Sequence, residues 1–455
     1  PAVEIGWLNV TSGWSPGTTV TLTFEGLIRA TLVDALSVPL GGQLVVARAA
    51  GGLGAGKAIA SSFSDASGLA ELVLPNATAP IRYAVYDEAA GEFVLTETNT
   101  TDLYVYWTRD GSPSEVMIGG RSAVSPSSHV LIPCAVFYAK FLLVSDTGRA
   151  LERAALKPAE PMPIRVTYYL AGRARPDIFS LEGFAFDNAT FRVDRCPIGE
   201  YLIEAWWPRK AIKVYEALTP IESNIPGPGA VEVARKLKCL VYDIVLNFKT
   251  PRGTACANAT ATVKWPQGVV TTEVSDLNGN VALVNVPVGK LTVMGLTWRG
   301  FSAIIAPKEM DIASTTTYYL MADNIVTLNL RVLGARGQGL PYAAVAVERV
   351  LSTVADESGL AVVELPRLSY TVSAMYKGKS ASKTIDLTKL APGVTEYSDK
   401  IELDVWMELF GYAMSAGEFA LSIVLLIIVA FIIAFIVHEY VVWRRKRIAA
   451  AVVKT

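Results

Sequence analysis

The stretch Asp65-Ala-Ser-Gly68-Leu-Ala-Glu-Leu-Val-Leu-Pro75 sets the architecture of this chain, because its pattern returns along the sequence. It recurs as Asp276-Leu-Asn-Gly279, ending at Pro287, and as Asp356-Glu-Ser-Gly359, ending at Pro366. A degenerate copy runs from Asp187-Asn-Ala-Thr190 to Pro197, with a sequon on its turn. Asp bonds nearby backbone amides and Gly accepts positive φ, so each phrase opens on a tight turn. A short apolar strand follows, and Pro ends it because it has no amide to give to a ladder.

Working outward, an alternating strand comes after each later Pro: Tyr201–Trp206, Lys290–Gly295 and Tyr370–Met375. Matching openings lie upstream, Leu32-Val-Asp34 with Pro39, Leu142–Asp146, and Leu330–Leu333 with Pro341. Many short strands with almost no helical period predict an all-β fold of four tandem antiparallel Ig-like or prealbumin-like β-sandwich modules. Composition places them at 1–112, 130–220, 236–322 and 324–404. The Ser-, Gly- and Pro-rich run from Gly111 to Ser128 reads as a linker, Pro220 to Gly229 as a stiff connector, and Ala322–Asn324 as a short junction.

These residues resemble the carboxypeptidase-regulatory-like family, related in shape to prealbumin-like and Cna-B-like modules. In that family a strand, a Pro-containing connection, an extended strand, a D-x-x-G turn and a Pro-terminated strand follow in the same order. The likeness is clearest around Val332–Met375 and Leu32–Val85. It implies repeated sandwiches that act as spacers, adhesive stalks or accessory domains. The Lys–Asn crosslink of some Cna-B modules finds no placed triad here.

Phe419 to Val437 are nineteen residues without a charge, followed by Arg444, Arg445, Lys446 and Arg447. About twenty apolar residues cross a bilayer core of roughly 30 Å as one helix. Trp406, Phe410 and Tyr412 precede it and Tyr440 and Trp443 follow, as interfacial aromatics do. The expected layout is a transmembrane helix over 412–442 and a basic cytoplasmic tail over 443–455, with the N-terminal bulk extracellular. The chain opens at Pro1 rather than Met, which a removed signal peptide or a choice of numbering would explain. The apolar centre carries no charge that would mark a channel or a transport path, so the segment reads as an anchor.

Net charge is −1 and charged residues make up 18% of the chain, so no strong field would draw nucleic acid. Outside the cell, Cys134, Cys196, Cys239 and Cys256 would form disulfides, with Cys134–Cys196 and Cys239–Cys256 favoured because each stays inside one module. Asn9, Asn76, Asn99, Asn188 and Asn258 each begin an N-x-[ST] sequon and are expected glycosylation sites.

Other motifs point away from catalysis. Gly51-Gly-Leu-Gly-Ala-Gly56-Lys57 opens like a phosphate-binding loop, but Ala58 stands where a hydroxyl must hold magnesium. Asp276-Leu-Asn278-Gly279-Asn280 alternates oxygen side chains as calcium loops do, yet lacks the closing Glu and reads as a β-turn. The chain has two histidines, His129 in the expected linker and His438 at the membrane edge, so no nucleophile–base triad forms outside the membrane. No cofactor or metal site is expected. Trp206 and Trp207 are neighbours on a strand, so their rings take opposite faces, and the outward one is a candidate partner contact.

Together these features describe a non-catalytic, single-pass cell-surface glycoprotein, a stalk or scaffold for a surface layer or partner protein. Its partners would be membrane lipid and other envelope proteins, and its composition suits a prokaryotic envelope, archaeal ones included. The alternatives are an accessory subunit of a larger membrane complex and an adhesin or carbohydrate-binding receptor.

Overall fold

The computed structural model describes residues 26–452 apart from 76, 88, 226–233, 349 and 392. Asn9, Asn76 and part of the Pro220–Gly229 connector therefore lie outside the described residues. Among the described residues, those up to 414 are β-strands and their connections, with three short 3-10 turns, and one long helix, Ala416–Val452, follows.

Each of four sandwiches is built on the same three-stranded sheet. Its middle strand opens the unit: Gly26–Val33, Val136–Val144, Val241–Lys249 and Ile325–Gly334. On one side it pairs antiparallel with the strand after the repeated turn, Leu69–Leu74, Thr190–Pro197, Asn280–Pro287 or Leu360–Pro366. On the other it pairs parallel with a closing strand, His129–Pro133, Arg235–Lys238, Thr316–Met321 or Glu396–Leu403. A second sheet of four or five strands faces each of these. The strand Ser369–Tyr376 shows the logic, since every second side chain, including Tyr370, Val372 and Ala374, is buried while its neighbours face outward.

The turn glycines earn their place twice. Gly359 sits at φ +80, and a Cβ there would lie 2.7 Å from the Val332 carbonyl and the Leu340 amide. Gly279 at φ +76 would meet the Phe248 carbonyl at 2.4 Å. Only glycine fits both the left-handed backbone and the close approach to the opening strand.

The second sandwich corrects the repeat by one residue. Its turn spans Phe186–Ala189, with the Phe186 amide bonded to the Thr190 carbonyl and the Ala189 amide to the Phe186 carbonyl. Asp65, Asp276 and Asp356 make the first of these bonds to Leu69, Asn280 and Leu360, so Phe186, and not Asp187, is their counterpart. Ala189 takes the glycine position at φ +62, a strain of about 1 kcal/mol.

The closing strand of each sandwich runs straight into the next opening strand. Only Cys134 and Ala135 separate the first pair, Cys239 and Leu240 the second, and Ala322, Asp323 and Asn324 the third. The expected linker from Gly111 to Ser128 is instead mostly strand. Ser112–Val124 forms the edge of the first sandwich's second sheet, paired to Thr101–Arg109 through three register shifts. Edge strands tolerate the Gly and Pro that made it look like a linker. His129 likewise starts a closing strand rather than lying in a loop.

Candidate functional site: the joints, the foot and the Trp206 face

At the first joint Asp34 is buried at 2% exposure. Its Oδ1 accepts the Leu36 and Val38 amides at 2.9 and 3.0 Å. Its Oδ2 accepts Tyr138 Oη at 2.6 Å and pairs with Arg195 Nε at 3.2 Å, both from the second sandwich. Arg195 reaches back because it sits at φ +56 beside a register shift, and a bulge re-aims its side chain. The Cys134 amide bonds the Val33 carbonyl at 2.8 Å, and one hydrophobic core runs through the first two sandwiches.

The second joint repeats the device. The Cys239 amide bonds the Val144 carbonyl at 2.8 Å. Asn285, at φ +57 beside the matching register shift, brings its Nδ2 to the Ala155 carbonyl at 3.5 Å. Lys157 crosses to Glu273 at 2.9 Å and lies 4.8 Å from the Trp265 ring centroid. Its carbonyl accepts from Trp207 Nε1 at 3.0 Å and Gln267 Nε2 at 2.7 Å, one donor from each sandwich. At the third joint the Ala322 amide bonds Lys249 at 2.8 Å, and Asn324 bonds Ala303, Ser302 and Arg367 through its amide, side chain and carbonyl.

The foot is built from a hairpin, Met407–Leu409 with Tyr412–Met414, so the helix begins at Ala416 rather than 412. Ser415 and Glu418 form a reciprocal cap, with the Ser415 amide on Glu418 Oε2 at 2.8 Å and the Glu418 amide on Ser415 Oγ at 3.2 Å. Lys379 of the fourth sandwich holds the same carboxylate at 2.6 Å, and Trp406 packs 4.8 Å from Phe419 between ring centroids. Tyr376 and Lys377 both hold Glu408 of the hairpin. The helix is long and apolar enough to cross a membrane, and none of its apolar window is buried in protein.

Trp206 is half-buried and Trp207 fully buried, as neighbours on opposite faces must be. The Trp206 ring does not lie bare: Arg165, Lys210 and Lys213 stand 5.2, 5.5 and 5.8 Å from its centroid. Glu204 ties Lys213 at 2.7 Å, and Glu182 ties Arg165 at 2.7 Å. The result is a charged rim around one aromatic ring on an outer sheet face.

The expected disulfides are absent, and all four cysteines are free and buried. Three thiols turn onto local carbonyls, Cys134 onto Ile132, Cys196 onto Phe137 and Cys239 onto Leu237. Cys134 and Cys239 hold matching places in successive joints, where a small apolar side chain fills the seam. Burial pushes every one of these thiols up to about 12, with the Asp34 charge adding to it at Cys134. They stay protonated at neutral pH and are poor nucleophiles or metal ligands.

The remaining motifs resolve locally. The Gly51–Lys57 segment joins two paired strands, with Tyr83 Oη on the Gly51 carbonyl at 3.3 Å. Asp276 Oδ1 accepts the Asn278 and Asn280 amides, both at 2.8 Å, so this oxygen is spent on the turn. His129 Nε2 bonds Thr31 Oγ1 at 2.8 Å. Among the described residues, no group of three or more His, Cys, Asp or Glu could hold a metal. Asn99, Asn188 and Asn258 are exposed.

No protein-family model matches this sequence, and no curated protein matches it. Solved structures that match include pilins and a pilus adhesin. The Bacillus anthracis TIE protein is 13% identical, covering 80% of this chain and 68% of its own, at a TM-score of 0.22. A streptococcal ancillary pilin is 12% identical, covering 58% and 98%, at 0.25. The pilus adhesin SpaC from Lactobacillus rhamnosus GG is 12% identical, covering 80% and 56%, at 0.27.

Proposed function

We propose that this chain is a non-catalytic, membrane-anchored stalk or scaffold on the outer face of a prokaryotic, including archaeal, cell, holding a surface layer or partner protein at a set distance. The reading extends the carboxypeptidase-regulatory-like resemblance to four modules with boundaries at the joints, near 134, 239, 322 and 404. The observation that carries it is the passage of each closing strand into the next opening strand across two or three residues. Such joints leave little slack for hinge motion, which a spacer requires. Four units of roughly 30–40 Å give an array on the order of 120–160 Å.

Two measurements test it. Small-angle scattering of residues 1–404 should give a maximum dimension near that length, and a compact particle of about half that length would refute the spacer. Protease added to intact cells should trim the sandwiches and spare the Arg444–Arg447 tail; the reverse pattern would refute the orientation. The rim around Trp206 favours a second reading, an accessory subunit whose partner docks on that face. Co-purification in fixed stoichiometry, lost in Trp206→Ala, would distinguish it.

A further inference from the structure

Phe186 departs from the repeat in a way that local folding does not explain. In three sandwiches the turn opens with Asp, whose Oδ1 caps the following amides at 2.8–3.0 Å. The second sandwich has the same backbone turn but opens it with Phe186, 59% exposed, and forces Ala189 to φ +62. Two local rules are broken at one turn, which is the mark of a site selected for something else. The same turn carries the sequon Asn188-Ala189-Thr190.

Asn188 takes over the capping role. Its Oδ1 accepts Thr190 Oγ1 at 2.6 Å and the Thr190 amide at 3.3 Å. That engages the carboxamide oxygen and leaves its nitrogen outside the turn. Phe184, 61% exposed, joins Phe186 and Asn188 in the lining of a groove of about 880 Å³, which also takes in Arg153. A second groove of about 500 Å³ shares Arg153 and Asn188. At the other described sequons the residue two places before Asn is Glu97 or the buried Cys256, so neither offers an aromatic ring.

We propose that Asn188 carries an N-linked glycan whose first sugars lie in this groove on Phe186 and Phe184. The proposal rests on the outward orientation argued above. Transfer would come from a lipid-phosphate-linked oligosaccharide: the sugar C1–O bond to phosphate breaks, C1 bonds Asn188 Nδ2, that nitrogen gives up one proton, and the lipid phosphate leaves. The C–H face of a sugar ring then covers the Phe rings, while Arg153 is placed to meet hydroxyl oxygens. This gives two exposed aromatics a partner that the polypeptide does not provide.

The test uses the full chain purified from its native membrane. Peptide mass spectrometry should find Asn188 glycosylated, and Phe186→Ala should lower the unfolding midpoint by about 2–4 °C. In an Asn188→Gln background the same Phe186→Ala change should produce no shift. A bare Asn188 on a protein glycosylated at Asn99 or Asn258 would overturn the proposal and leave the orientation standing. Equal shifts in both backgrounds would overturn the groove as the seat of the glycan. Bare sequons throughout, together with sandwiches that external protease does not reach, would overturn both.

Discussion

Replacing Asp34 with Ala should weaken the first joint by about 2–4 kcal/mol. One carboxylate, its side chain wholly enclosed, accepts two turn amides, the Tyr138 hydroxyl and the Arg195 guanidinium. Bonds to a charged acceptor contribute about 1.5–3 kcal/mol each where both ends stay dry. The full sum does not apply, because Arg195 keeps 38% of its side chain in water and re-hydrates when released. The amides of Leu36 and Val38 lie in a surface turn and recover water as well. Asp34→Asn keeps an oxygen for those amides but gives Tyr138 and Arg195 no acceptor, so it should cost about half as much. Because one core spans the first two sandwiches, they should unfold together in the wild type, and Asp34→Ala should lower that transition by about 4–16 °C. Calorimetry of residues 1–238 would measure the shift, and Tyr138→Phe combined with each Asp34 variant would report coupling across the joint. Shifts below about 1 °C for Asp34→Ala, or additive effects of Asp34→Asn and Tyr138→Phe, would refute the view that this carboxylate ties the two sandwiches.

Three further outcomes follow from the turns and thiols. Gly359→Ala should cost about 3 kcal/mol in urea unfolding, whereas Gly337→Ala, at φ +76 but with open space for a Cβ, should cost about 1 kcal/mol. The Asp65, Asp276 and Asp356 carboxyls are held below the usual range, chiefly by Ser67, the Asn280 amide and Ser358. A depressed folded-state value stabilises above the unfolded value and fades as pH falls through the folded one, so the urea midpoint should drop below about pH 4, and less in Asp276→Asn. Iodoacetamide at about pH 8 should leave all four thiols unlabelled in the native protein and label all four in urea, with no mass change on prior reduction.

The parts of this architecture written in side-chain chemistry were legible in advance. Gly68, Gly279 and Gly359 announce left-handed turns that glycine makes without strain, and alternation in Tyr370–Met375 announces a half-buried strand. The Trp206–Trp207 pair was readable for the same reason, although the three cations around Trp206 come from residues up to 41 positions away and needed the fold. The turn at Phe186–Ala189 was misread by one residue because neither residue carries a turn signal. There the ladder imposes the conformation, through the Leu143 amide on the Ala189 carbonyl at 3.0 Å. The strand Ser112–Val124 was hidden by Gly and Pro, whose cost is small at a sheet edge. The cysteines misled because compartment predicts what thiols are permitted to do, while burial in a joint seam decides what these ones do.

The joints also explain why the foot matters. A chain meant to swing would place Gly- and Ser-rich segments between its sandwiches. Here the connecting residues are Cys-Ala, Cys-Leu and Ala-Asp-Asn, and each joint is crossed by a backbone hydrogen bond into the preceding opening strand. Bending the first two joints must also strip Arg195 from Asp34 or Asn285 from Ala155, contacts that exist only because a bulge aims each side chain backward. At the last sandwich a backbone bond runs the opposite way, with the Ala335 amide on the Val405 carbonyl, and Trp406 packs at a tilt against Phe419. Lys379 and Ser415 share one Glu418 carboxylate, so the first helical turn is held by the fourth sandwich and by its own cap at once. Under the anchored reading proposed above, a tilt of the helix would therefore be passed into the fourth sandwich rather than absorbed at the foot.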